Sequence, residues 1–183
     1  MTHAKPDDLT LRRLRECCTQ LHSCLLIWRE TKASGLRTAT TIVNASLAHC
    51  SVSITALQAL NDSVQTLCNC VKTISSLTGN VQAVHRLVCK RSSQLGHVEQ
   101  PLFHTLSSLN FVCHFEQILS AYSQELCLCQ LLANNVQSND AQAQYSEDKD
   151  TLMTYLSAWK HEIYVTEQTR LLLEALLVET DLR

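Results

Sequence analysis

Residues 8–28 read DLTLRRLRECCTQLHSCLLIW, and within them Leu11, Leu14, Cys18, Leu21, Leu25 and Trp28 recur at alternating steps of three and four. An α-helix turns once in about 3.6 residues, so this spacing lines the six side chains along one apolar seam. Asp7 or Asp8 caps the start. Gly35, after Thr31-Lys32-Ala33-Ser34, reads as the C-terminal stop, which places a first helix over 8–33.

The next stretch repeats the rhythm at greater length. Val43, Leu47, Cys50, Ile54, Leu57, Asn61, Val64, Cys68 and Val71 keep a heptad-like phase, with Leu60, Leu67 and Ile74 broadening the stripe. Asn61 is a polar residue at a seam position, a device that fixes register or partner number in coiled coils, or one that turns to the edge of a widened stripe. Beyond Gly79-Asn80 the phase resumes in Val81, Val84, His85 and Val88. The stretch therefore reads as one helix over 37–93, weakened near Gly79, or as two helices broken there. Gly96 and Pro101 bracket a loop. Ser107 or Ser108 caps a third helix over 108–137, with Phe111, Phe115, Ile118, Tyr122, Leu126, Cys129, Leu132 and Val136 down one face. Residues 138–148 are polar and acidic and read as a surface loop. Leu152, Tyr155, Leu156 and Trp159 mark a short helix over 149–160. A last helix over 166–180 opens at Thr166, carries Glu167 in its first turn and buries Leu172, Leu173, Leu176 and Leu177.

Composition agrees with this reading. Three glycines and two prolines in 183 residues cannot supply the frequent turns of a β-rich or doubly wound fold. The expectation is an all-α chain without a sheet, a single domain over 1–183 in which long amphipathic antiparallel helices form an elongated bundle or coiled coil. Lys and Arg number 15 against 17 Asp and Glu, a balance unlike that of a nucleic-acid binder. The small basic runs at Arg12, Arg13 and Arg15 and at Lys90-Arg91 read as solvated helix surface, and no direct nucleic-acid contact is expected. The polar N-terminus MTHAKPDD has no apolar core of a secretory signal, and no apolar run reaches membrane-spanning length. An intracellular chain with reduced thiols follows, its ten cysteines acting as small hydrophobes and its sequons at Asn44 and Asn61 idle.

No chemistry-bearing constellation emerges. Cys68 and Cys70, like Cys127 and Cys129, stand two apart, which on a helix points them about 200° apart, so neither pair chelates one ion. Cys18/His22 and His85/Cys89 have i, i+4 spacing and would converge only if their helices packed side by side. There is no phosphate-binding Gly loop, nucleophile elbow, zincin motif or Glu-x-x-His pair. No catalytic residue, metal ligand or cofactor site is expected. Trp159 stands out because His161, Tyr164 and Val165 follow where its helix should end. Such a cluster of large side chains either locks two helices together or presents a docking patch.

Two blocks of residues carry a resemblance. The C-terminal part runs from PLFHT (Pro101–Thr105) through Tyr155, Leu156, Ser157, Trp159 and His161, then Tyr164-Val165, Arg170, Leu171, Leu173 and Glu174, to Glu179-Thr180. Near the front, Trp28, Gly35, Thr38, Ala39, Ile42 and Asn44 follow in matching order and spacing. Together these resemble the cyclin-dependent kinase 2-interacting protein family, over a little more than half of the chain. Where that family carries a proline before the Tyr-Val pair, this chain has Ile163, and the middle from about Cys50 to Gly96 matches mainly in helical character.

The resemblance implies a nuclear, chromatin-associated adaptor of DNA replication and the damage checkpoint. Its implied partners are a cyclin-dependent kinase, the origin-firing kinase, the partner subunit of a checkpoint kinase and the subunits of an AAA+ ATPase assembly, with a link to ribosome maturation. Partner contacts would fall in the two blocks, at Trp28, Gly35, Ile42, Leu102, Phe103, His104, Tyr155, Trp159, His161, Tyr164 and Arg170. The residues by themselves leave two other readings open, a self-associating homodimeric coiled coil and a Cys/His metal or redox protein.

Overall fold

The computed structural model describes residues 8–48, 50–95, 101–141 and 149–182. Five helices account for most of them: α1 Asp8–Leu47, α2 Ile54–Leu95, α3 Ser108–Ala141, α4 Lys149–His161 and α5 Glu167–Glu179. No strand occurs among the described residues. The protein is all-α.

The seam of α1 falls where its periodicity puts it. Leu14, Cys18, Leu21, Leu25 and Trp28 are buried and Leu11 is half-buried. The helix does not stop at Gly35, however. It runs on for three more turns, and the same three-four phase continues through Lys32, Gly35, Ala39 and Ile42, all buried. Glycine in a helix interior costs about 1 kcal/mol relative to alanine, and here that cost goes with a close contact described below. α1 ends at Leu47 instead, where the Cys50 N–H returns to the Ala45 carbonyl (2.9 Å) in a six-to-one closure. Residues 50–53 belong to no helix, and the Ser53 carbonyl accepts from the N–H groups of Ala56 and Leu57 at the start of α2. The apolar rhythm from Val43 to Ile54 is thus divided between two helices by a turn that no glycine or proline announces.

α2 passes through Gly79 without a break. Its buried line is Leu60, Ser63, Leu67, Cys70, Ile74, Leu77, Val81 and Val84, an unbroken three-four series. The line drawn from sequence through Ile54, Leu57, Asn61, Val64, Cys68 and Val71 lies to one side of it: Ile54 and Asn61 are exposed and the others half-buried. Both lines have heptad spacing. Spacing alone could not choose between them, and packing chose the one containing Leu60, Leu67 and Ile74. α3 is capped by Ser107, whose Oγ accepts from the Asn110 N–H, and it extends to Ala141, into the stretch expected to be loop. The rest of that stretch, 142–148, lies outside the described residues, as do Asp7 and Gly96.

The chain divides into two compact units. Unit 1 gathers Met1–Cys24, Lys72–Ala121 and Glu167–Arg183; unit 2 gathers Leu25–Val71 and Tyr122–Thr166. Inside unit 1, α2 and α3 run antiparallel, with Gln82 bonded to Glu116 and His85 to Ser108. Inside unit 2, α1 and α3 share a direction: Trp28 meets Tyr122, and one turn on Lys32 meets Glu125 and Cys129.

Candidate interaction site

In unit 2 the two tryptophans of the chain lock α4 onto α1. Trp159 is 2% exposed, and its indole N–H donates to the Lys32 carbonyl at 3.0 Å. Its six-membered ring lies over α1 at Gly35, where a Cβ would stand 2.7 Å from Cζ2, well inside carbon–carbon contact distance. Gly35 is therefore the notch that admits the indole. Trp28 meets Tyr122 edge to face (5.0 Å between centroids, 89° between planes), and its indole N–H donates to Glu162 Oε1 at 3.1 Å. Glu162 takes a left-handed backbone, φ 48°, in the turn after α4. The Val165 N–H closes that turn on the Glu162 carbonyl, and Val165 itself is buried.

Beneath this lock lies a buried ion pair. Lys32 Nζ sits 2.7 Å from Glu125 Oε1, with side-chain exposures of 6% and 0%. The second carboxylate oxygen accepts from the Tyr164 N–H at 3.2 Å, and the ammonium also donates to Cys129 Sγ at 3.2 Å and stacks over Trp159 at 5.0 Å. Both charges are thus satisfied, as burial requires. Burial pushes the Cys129 thiol up to about 11, while the Lys32 charge and hydrogen bond pull the other way. Neither Lys32 nor Glu125 was singled out from sequence. The available signal was phase: Lys32 follows Trp28 by four and precedes Gly35 by three, and Glu125 stands between Tyr122 and Cys129 in the same way.

In the cluster around the turn 161–165, burial separates the side chains residue by residue. Trp159, Glu162 and Val165 face inward. His161 is exposed, as are Ile163 (56%) and Tyr164 (42%), and Tyr155 is half-buried. Anchored side chains on either side hold an apolar-aromatic pair at the surface.

Unit 1 has a second lock. The Glu179 carboxylate at the end of α5 accepts three consecutive backbone N–H groups, those of His104, Thr105 and Leu106, and the Thr105 hydroxyl at 2.9 Å. Burial works to raise its pKa, but these four donors outweigh it and hold the carboxyl below its ordinary value. Arg15 of α1 donates to the Thr180 carbonyl, pairs with Asp181 at 2.9 Å and lies over the Phe103 ring, which packs on Phe111. His104 reaches the other Asp181 oxygen at 2.9 Å, and these two contacts, His104 first, hold the exposed Asp181 carboxyl low. The PLFHT block and Glu179-Thr180, separate in sequence, are thus two halves of one clasp.

Of the residues expected to meet partners, Trp28, Gly35, Ile42, Leu102 and Trp159 are packed within the chain's own core, and Phe103 is half-buried in the clasp. His104, His161, Tyr164 and Arg170 are exposed, Arg170 beside Glu167 on α5 at 3.6 Å. Cys18 is buried and His22 exposed, so that pair does not converge. Cys89 and His85 do touch, Sγ to Nε2 at 3.5 Å, with His85 Nδ1 also 2.8 Å from Ser108 Oγ. No group of three His, Cys, Asp or Glu side chains among the described residues is disposed to hold a metal ion.

No family model matches the chain. It is similar along nearly its whole length to three curated proteins named cyclin-dependent kinase 2-interacting protein. The one from Bos taurus is 26% identical over 94% of this chain and 90% of the relative, and those from Homo sapiens and Mus musculus are 24% and 23% identical over the same shares.

Proposed function

We propose that this chain, a distant relative of the cyclin-dependent kinase 2-interacting proteins, is a non-catalytic adaptor that engages a cyclin-dependent kinase. The observation that carries the reading is similarity spread over 94% of the chain rather than confined to one block. The fold is consistent with it: long helices, two internal clasps and an exposed turn suit a scaffold that presents surface to other proteins. The contact surface we assign is the outer side of the 161–164 turn. Its backbone is held by the Trp28–Glu162 bond and by the Tyr164 N–H on Glu125, so little ordering entropy remains to be lost on binding.

The wider role we propose follows the resemblance read in the sequence: a nuclear, chromatin-associated place in DNA replication and the damage checkpoint, with the origin-firing kinase, the checkpoint kinase's partner subunit and AAA+ ATPase subunits as further partners, and a link to ribosome maturation. Affinity purification of the tagged chain from dividing cells, followed by mass spectrometry, tests both levels. Recovery of a cyclin-dependent kinase, lost on Ile163→Asp with Tyr164→Ala, is expected. Stoichiometric ATPase subunits would make the chain a fixed component of that assembly. Recovery of the chain alone, as a homodimer, would overturn the adaptor reading.

A further inference from the structure

The ammonium of Lys32 stands 3.2 Å from the sulfur of Cys129, and both sit against Glu125 in a site closed to solvent. The two residues belong to different helices, α1 and α3, 97 positions apart. Five of the ten cysteines are buried and five are exposed or half-buried, and Cys129 is a buried thiol held against a lysine nitrogen. A fixed amine–thiol pair with a carboxylate alongside is the arrangement needed to join nitrogen and sulfur through one oxygen.

We propose that Lys32 and Cys129 form a covalent modification site, an oxygen-bridged lysine–cysteine link made under peroxide and reversed by thiol reductants. The atoms balance in two steps. A first peroxide oxidises the sulfur by two electrons, turning the thiol into a sulfenic acid and leaving one water. Lys32 gives a proton to Glu125, 2.7 Å away, and so exposes its nitrogen lone pair. A second peroxide takes two electrons in forming the N–O bond. The amine and the sulfenic acid give up two hydrogens, two further waters leave, and sulfur and nitrogen end on a shared oxygen.

Geometry selects this product over a direct sulfur–nitrogen bond. An interposed oxygen keeps the two atoms close to their present separation, whereas a direct bond would draw them together by nearly half within a packed core, where displacement is costly. Burial and the raised thiol make the first step slow, so the bridge accumulates during sustained exposure, through local openings that admit a molecule little larger than water. It ties α1 to α3 and removes the positive charge that faces Glu125, whose other oxygen holds the Tyr164 N–H. Oxidation thereby reaches the turn that carries Ile163 and Tyr164. The link itself does not depend on the adaptor reading.

The test is intact and peptide mass spectrometry of the folded chain after prolonged hydrogen peroxide treatment and alkylation of remaining thiols. The expected result is a cross-linked pair of peptides, one containing Lys32 and one Cys129, heavier than their sum by one oxygen less two hydrogens. It should be absent from Cys129→Ser and restored to free peptides by dithiothreitol in the wild-type chain. A Cys129 that stays alkylatable, that carries only its own added oxygens with Lys32 free, or that joins Lys32 with loss of hydrogen alone would overturn the proposal. Whether kinase recovery changes is a separate measurement, so failure of one reading leaves the other standing.

Discussion

Replacing Gly35 by alanine would test the tryptophan lock against a control within the same chain. Gly35 and Gly79 are both interior helix glycines, in α1 and α2. In an unobstructed helix each change to alanine gains about 1 kcal/mol of propensity. At Gly79 nothing lies within 4 Å of the new methyl, so that gain should appear almost undiminished. At Gly35 the methyl meets Trp159 Cζ2 at 2.7 Å and Ser63 Cβ at 3.4 Å. Trp159 cannot swing aside freely, because it is 2% exposed and its N–H is bonded to the Lys32 carbonyl. Overpacking of this kind costs about 1–3 kcal/mol, and losing the indole bond adds about 1 kcal/mol. Set against the propensity gain, Gly35→Ala should be net destabilising by about 1–3 kcal/mol. For a chain of this size that lowers Tm by about 2–12 °C, whereas Gly79→Ala should raise it by about 2–4 °C. Both tryptophans lie in the same unit as Gly35, so their fluorescence follows that unit and circular dichroism follows the helices as a whole. In a Trp159→Leu background the Gly35→Ala penalty should largely vanish, the non-additivity expected of groups in contact. A Gly35→Ala chain as stable as wild type, or a penalty unchanged in the Trp159→Leu background, would show that Gly35 does not seat the Trp159 indole.

Three further outcomes follow from the buried charges. Lys32→Met or Glu125→Met alone should each cost about 3–5 kcal/mol in denaturant unfolding by leaving one buried charge without its partner, while the double variant should recover most of that loss. Glu179→Gln should cost about 1.5–3 kcal/mol at neutral pH by removing charge-assisted bonds to the 104–106 backbone. Because its folded pKa is depressed, Glu179 contributes stability above its ordinary value of 4.5 that is lost as pH falls through the lower folded value, so urea midpoints of wild type and Glu179→Gln should converge in acid.

What could be read in the sequence was periodicity, and periodicity has limits that are physical. The α1 seam and the α3 face were legible because each holds one three-four phase along its length, even though Leu26 and Ile27 in α1 and Leu109 and Leu131 in α3 lie exposed beside it. In α2 two lines of equal spacing compete, and burial was decided by neighbours that no local pattern names. Gly35 was read as a helix stop because glycine serves both helix ends and close approaches, and the indole it admits lies more than a hundred residues on. The turn before α2 was invisible because Ser51-Val52-Ser53 interrupts the helix without glycine or proline. The Trp159 cluster was recognised as lock or dock; the structure shows Trp159 and Val165 packed as a lock and leaves His161, Ile163 and Tyr164 exposed. Lys32–Glu125 and the Glu179 clasp were missed for one reason: a lone charge on an amphipathic helix reads as surface until its partner, distant in sequence, is seen beside it.

The most direct test of the adaptor reading is binding between the purified chain and a purified cyclin-dependent kinase, with its cyclin, followed by calorimetry or size-exclusion chromatography. The expected result is a complex whose Kd rises about tenfold or more on Ile163→Asp with Tyr164→Ala, changes at exposed side chains that leave the Tyr164 N–H on Glu125. Absence of any complex with wild-type chain of native helicity would contradict kinase engagement. An undiminished complex with the double variant would place the contact elsewhere than the 161–164 turn.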